Sequence, residues 1–131
     1  MTRSPEGTDR GQTGPVLVVD DDAMVRRLIR RALEEEGLQV VAAANGRLAL
    51  EQAGHVRPAL VVLDISLPVL GGDAVAEGLR ARLGEHVPIL VITADGHPAE
   101  KARVLGAYGY LAKPFDVDEL IGLVRRGLHG A

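Results

Sequence analysis

The chain contains no cysteine and no tryptophan. The first absence removes thiol catalysis, disulfide stapling and cysteine-ligated zinc together, and it suits a reducing compartment. Aromatic rings are scarce: Tyr108, Tyr110 and Phe115 are all there are, so a core has to be built from Val, Leu, Ile and Ala. No apolar run approaches the roughly 18 residues that a membrane helix needs, and no secretory signal is recognisable at the start. The formal net charge of −3 supplies no basic excess for nucleic acid or for an anionic membrane. The expectation is a soluble, cytoplasmic protein with no direct nucleic-acid or membrane partner. A chain of 131 residues is most simply one domain. At this length about two thirds of the unfolded surface can be buried without a disulfide or a structural metal.

Residues 1–14, MTRSPEGTDRGQTG, hold almost no apolar side chains and cannot offset the entropy of ordering. They are predicted to form a disordered tail ahead of a domain over residues 15–131. Within that domain short apolar runs recur: VLVV (16–19), LQVVAAA (38–44), ALVVL (59–63), PILVIT (88–93) and GYLA (109–112). Three of them do not alternate polar with apolar, the pattern of strands covered on both faces in a parallel sheet. Helical spacing fills the gaps over residues 23–36, 46–53, 73–83, 98–105 and 117–128. In the first of these, Val25, Leu28, Ile29, Ala32 and Leu33 share one face. Arg26, Arg27, Arg30 and Arg31 form a basic face opposite, either solvated or open to a partner. Gly37 is placed to stop that helix, Asp116 to cap the last one, and Pro98 suits a first turn. Strand followed by helix, five times over with right-handed crossovers, gives an open, doubly wound α/β sheet. Ligands of such sheets bind beyond the carboxyl ends of the strands.

The residues that close the runs are therefore the candidates. The first run ends in Asp20, Asp21 and Asp22, the third in Asp64, the fourth in Thr93 and the fifth in Lys113; the second ends in Ala44 and Asn45. Each has an ordinary reading. The acids could cap a helix, Thr93 could be a β-branched strand residue, and Lys113 could be a solvated charge. Together on one rim they permit specific chemistry. Carboxylates of Asp20, Asp21 and Asp64 offer only oxygen, which favours a hard ion such as Mg²⁺ or Mn²⁺ over zinc. A carboxylate can also be a covalent nucleophile toward phosphorus. A hydroxyl and an ammonium can share the charge of a phosphoryl group.

In order along the chain, VLVVDDD, LVVLDISLPVLGG, PILVITA, GAYGYLAKPF and DVDEL resemble the receiver domain of two-component response regulators, of the chemotaxis-type single-domain kind. The likeness runs from about Val16 to Leu128. It implies a (βα)5 flavodoxin-like fold with strand order 2-1-3-4-5. It implies that Asp20 and Asp21 bind the divalent ion with Asp64 and the backbone carbonyl of Ser66, and that Asp64 accepts the phosphoryl group. Thr93 is then the switch hydroxyl, Lys113 the phosphoryl-contacting lysine and Tyr110 the aromatic that turns. Pro68 and Gly72 match the loop after the phosphorylation site, and Pro114 is expected to follow Lys113 through a cis peptide bond. Gly71 stands where the family often has an acid. Tyr108 and Gly109 replace two acids that take part in dimer salt bridges in the subfamily with winged-helix outputs, which argues against that dimer.

The implied donor is the phosphohistidine of a sensor histidine kinase or of a phosphotransfer protein. The implied readout is a downstream protein target that recognises the face around Ala102, Tyr110 and Lys113, with the chain a monomer or a weak phosphorylation-dependent dimer. Ser66 and Asp95, each two residues beyond a site residue, are expected to tune the phosphoryl lifetime. The protein would be no enzyme beyond catalysing its own phosphorylation and dephosphorylation. Three other functions fit the residues less well. An aspartyl-phosphate phosphohydrolase needs a second acid at position 66, which holds serine. A flavodoxin-type cofactor site needs a phosphate-friendly first loop, and DDDAM repels phosphate. A protein-interaction module independent of phosphorylation does not require the full residue set. His55, His86, His97 and His129 are scattered and read as surface residues.

Overall fold

The computed structural model describes residues 14–67, 71–94 and 96–130. Residues 1–13 of the expected 1–14 tail, Pro68 and Asp95 lie outside the described residues. Strands β1 (Val16–Val19), β2 (Val40–Ala43), β3 (Leu60–Asp64), β4 (Ile89–Thr93) and β5 (Gly109–Ala112) alternate with helices α1 (Ala23–Glu35), α2 (Gly46–Val56), α3 (Gly72–Leu83), α4 (Pro98–Leu105) and α5 (Val117–Leu128). The strands form one sheet in the order β2-β1-β3-β4-β5, and every pairing is parallel. The fold class and strand order expected from the sequence are the ones observed.

The continuous apolar runs have the reason proposed for them. Leu17, Val19, Val61, Leu63, Ile89 and Val91 point into a layer closed by Ala49 and Ala53 of α2, Val75 and Leu79 of α3, and Ala102 of α4. Their neighbours Val16, Val18, Leu60, Val62, Leu90 and Ile92 point to the other side, against Ile29 and Leu33 of α1 and Leu120 and Val124 of α5. Both faces of the three central strands are buried, so alternation has no solvent side to record. Each fully buried Leu, Ile or Val contributes roughly 1.5–3 kcal/mol by leaving water. Three of the helices, α1, α2 and α5, start on a side-chain cap. Asp22 Oδ1 accepts from Met24 N–H at 2.9 Å, Asn45 Oδ1 from Leu48 N–H at 2.9 Å, and Asp116 Oδ1 from Asp118 N–H at 2.8 Å.

The first helix departs from its sequence reading. Leu28 is not on the buried face but 46% exposed, and Met24 is 74% exposed. The basic face also divides. Arg27 and Arg31 are exposed, whereas Arg26 and Arg30 reach back to the sheet, Arg26 Nη1 donating to Asp20 O at 2.8 Å and Arg30 Nη2 to Val40 O at 3.0 Å. Periodicity assigns a face, but a long guanidinium can reach strand-end carbonyls from the border of that face. The second helix runs three residues past its expected end, to Val56, and stops at Arg57 in the left-handed region with φ 48°.

Candidate functional site

Parallel pairing in register does most of the positioning. Val19 pairs with Leu63, so the next residues, Asp20 and Asp64, emerge side by side. Asp64 pairs with Ile92 and Thr93 with Ala112, which brings Thr93 and Lys113 to the same rim. Backbone bonds carry the ladder one step further, with Ile65 N–H donating to Ile92 O at 3.2 Å and Lys113 N–H to Thr93 O at 2.8 Å. The Lys113–Pro114 peptide is cis, as expected.

Asp20, Asp64 and Thr93 are the buried polar side chains of the described residues, at 0%, 1% and 0% exposure. The Lys113 ammonium sits 2.8 Å from Asp20 Oδ2 and 3.1 Å from Asp64 Oδ2. Asp64 Oδ1 accepts two bonds from residue 66, from Ser66 N–H at 2.9 Å and from Ser66 Oγ at 2.7 Å. Asp20 Oδ1 accepts from Asp22 N–H at 2.9 Å. Asp20 Oδ2 is different: it is buried with the ammonium near it but off the direction of a hydrogen bond, so no aligned donor satisfies it.

The electrostatics are those of too many acids for one base. Burial pushes the Asp20 carboxyl above its usual range, and Lys113 and the Asp22 amide pull it down without overcoming that. For Lys113, burial alone would favour the neutral amine, but the two carboxylates beside it, Asp20 and Asp64, win, and its affinity for a proton is raised. One ammonium between two buried carboxylates leaves one negative charge uncompensated, beside the exposed Asp21. One ligand oxygen from each of Asp20, Asp21 and Asp64 lies within 4.8 Å of the others. An all-oxygen donor set with an unsatisfied buried oxygen fits a hard divalent cation that keeps several waters.

Of the residues singled out from sequence, Asp20, Asp21, Asp64 and Lys113 converge, with Thr93 buried at the adjoining strand end. Tyr110 lies on β5 and is 46% exposed, turned outward from the rim. Ser66 is exposed yet donates its hydroxyl into the centre. Arg26, read from sequence as surface charge, is the residue that sequence reasoning missed. Its only signal was a position six residues beyond Asp20, one helical turn above the acid rim.

Residues 16–125 match the family model described as "Response regulator receiver domain". The chain belongs to that family. The receiver is 44% identical to a response regulator MprA of Mycolicibacterium vanbaalenii over 84% of this chain and 48% of the relative. It is 42% identical to the transcriptional regulatory protein PrrA of Mycobacterium tuberculosis over 89% of this chain and 51% of the relative. The receiver thus spans about half the length of the curated relatives it matches. Among solved structures, a chemotaxis protein CheY4 of Vibrio cholerae superposes with a TM-score of 0.80 at 32% identity, covering 87% of this chain and 98% of that one. This is a signalling module of two-component systems rather than a conventional enzyme. Among the described residues no helix is long and apolar enough to cross a membrane.

Proposed function

We propose that residues 15–131 act as a phosphoacceptor switch, taking a phosphoryl group from the phosphohistidine of a sensor kinase or phosphotransfer protein onto Asp64. The observation that carries this reading is the Lys113 ammonium held between Asp20 and Asp64 on a buried carboxylate rim. In the transfer one Asp64 oxygen attacks phosphorus and the bond from phosphorus to the histidine nitrogen breaks. The electron pair of that bond stays on the imidazole, and an acyl phosphate forms on Asp64. Lys113 is placed to neutralise one phosphoryl oxygen and the Thr93 hydroxyl to donate to another. Asp20, Asp21, Asp64 and the backbone carbonyl of Ser66 would hold Mg²⁺ or Mn²⁺, which supplies further charge neutralisation when bound. The catalysis is limited to the chain's own phosphorylation and dephosphorylation.

Phosphorylation adds roughly two negative charges at the rim. Thr93 then moves toward them and Tyr110, now outward, turns into the space released, which reshapes the face of α4, β5 and α5 for a downstream protein. That face has Tyr108 and Gly109 where winged-helix regulators carry dimer acids, which supports a monomer or a weak phosphorylation-dependent dimer. A single-domain receiver of the chemotaxis type is supported by the 98% cover of the CheY4 chain. A receiver joined to an output region is supported by the half-length cover of MprA and PrrA. The size of the protein in its native cells separates the two. The site is tested by incubation with acetyl phosphate and Mg²⁺ followed by intact mass. Wild type gains one phosphoryl group and Asp64→Ala gains none; no gain by wild type, or an equal gain by the variant, refutes the assignment.

A further inference from the structure

The turn from β1 into α1 has to aim two carboxylates, and its hydrogen bonds run as a chain. Asp20 N–H donates to Ala43 O at 3.2 Å, Asp20 Oδ1 accepts from Asp22 N–H at 2.9 Å, and Asp22 Oδ1 caps α1. The Asp20 carbonyl accepts from Arg26 Nη1 at 2.8 Å, across six residues. Arg26 is half-buried, unlike the exposed Arg27 beside it. A peptide group is planar, so holding the Asp20 carbonyl also holds the Asp21 N–H and Cα, the point from which the Asp21 side chain leaves. Asp21 is exposed, and among the described residues no donor holds its carboxylate. The backbone is therefore what places it.

We propose that Arg26 is a positioning residue for the acidic rim: by holding the Asp20 carbonyl it fixes the peptide plane that points Asp20 and Asp21 toward Asp64. The inference rests on the reading of Asp20, Asp21 and Asp64 as a divalent-cation site.

The side chain has two effects of opposite sign. A guanidinium near a cation site repels the incoming ion, so its removal by charge alone would tighten binding. Loss of the tether frees the plane to rotate, which weakens binding. The first effect is screened by solvent and salt at an open rim, where the Debye length is about 8 Å at physiological ionic strength. The second belongs to partners that orient metal ligands, whose removal typically costs about 10–100-fold in affinity. The tether wins, and the sign of the change identifies the role.

The test is Mg²⁺ titration followed by amide NMR, at fixed ionic strength, of wild type, Arg26→Gln, Arg26→Lys and Arg27→Gln. Arg26→Gln should raise the Mg²⁺ Kd about tenfold, and Arg26→Lys, which keeps the charge and one donor, should fall between it and wild type. Arg27→Gln makes the same charge change without a tether and should match wild type or bind slightly tighter. A readout free of metal accompanies this. Without Mg²⁺ the Asp22 amide should exchange its hydrogen about tenfold faster in Arg26→Gln, the open turn being that much more populated, while the core amides of Val18 and Leu63 keep wild-type rates. Unchanged or tighter Mg²⁺ binding in Arg26→Gln overturns the positioning role and leaves the cation site standing. Core amides that accelerate along with Asp22 also overturn it, because the residue would then be only structural. Failure of wild type itself to bind Mg²⁺ at millimolar concentration overturns the cation site and the inference with it.

Discussion

Replacing Lys113 with methionine takes the ammonium from between Asp20 and Asp64 while keeping an unbranched side chain of similar length. At an effective dielectric of about 20, the pairs at 2.8 and 3.1 Å represent about 6 and about 5 kcal/mol of gross attraction. Most of that is returned by the hydration the charges gave up on burial, and removing one partner of a buried pair typically leaves a loss of about 3–5 kcal/mol. The residual term has a visible source. Two carboxylates with oxygens within 4.8 Å of each other repel by about 3.5 kcal/mol at that dielectric once nothing stands between them. Metal-free Lys113→Met should therefore lose about 3 kcal/mol in urea unfolding followed by far-ultraviolet circular dichroism. At a slope of about 1.5–2 kcal/mol per molar the midpoint falls by roughly 1.5–2 M. Adding Asp20→Asn removes one of the repelling charges and should restore about half of the loss. Mg²⁺ should stabilise Lys113→Met more than wild type, because the ion then meets no ammonium at the rim. A loss below about 1 kcal/mol, or a double variant no more stable than the single one, would refute the claim that Lys113 neutralises this pair.

Two further outcomes follow from single contacts. Ser66→Ala keeps the amide bond to Asp64 Oδ1 but removes the hydroxyl bond of 2.7 Å. The freed carboxylate should react with acetyl phosphate about fivefold faster, equivalent to about 1 kcal/mol, and a rate equal to or below wild type would show that the hydroxyl does not restrain the nucleophile. In Gly127→Ala a new methyl group would meet the Tyr108 hydroxyl and Leu60 Cδ1 at contact distances no side chain tolerates. The Tyr108 ring must shift and its 2.6 Å bond to Leu123 O is lost, so the thermal midpoint should drop by several degrees, for about 1–3 kcal/mol of overpacking. An unchanged midpoint would mean that the ring is not locked against that helix.

The legible part of this protein is what the chain writes locally. VLVV and GYLA coincide with β1 and β5, and the 98–105 and 117–128 spacings coincide with α4 and α5. PILVIT overshoots only at Pro88, which has no N–H to give to a ladder, and LQVVAAA overshoots at both ends, Leu38 still bonding back to Leu33 of α1 and Ala44 lying past the last residue of β2. The rim was readable for the same reason: parallel strands put their closing residues on one edge, so Asp20, Asp64, Thr93 and Lys113 could be collected without knowing any distance. What the chain does not write is the reach of long side chains across elements. Arg26 to the Asp20 carbonyl, Arg125 to Glu36, and Tyr108 folded over Gly127 all depend on how the helices dock. A periodic pattern names the face of a helix and says nothing of what waits at its border. The burial of Tyr108, which pushes its phenol above the ordinary range, likewise left no periodic trace.

One-way strands have a practical corollary for anyone who wishes to watch this switch work. The residues of the candidate site crowd one edge, so the opposite edge, where Glu85 and Gln39 lie exposed, stands apart from them. With no native thiol in the chain, a single cysteine introduced there would take one dye cleanly. That leaves the reacting edge unlabelled while the probe reports how the body of the domain responds.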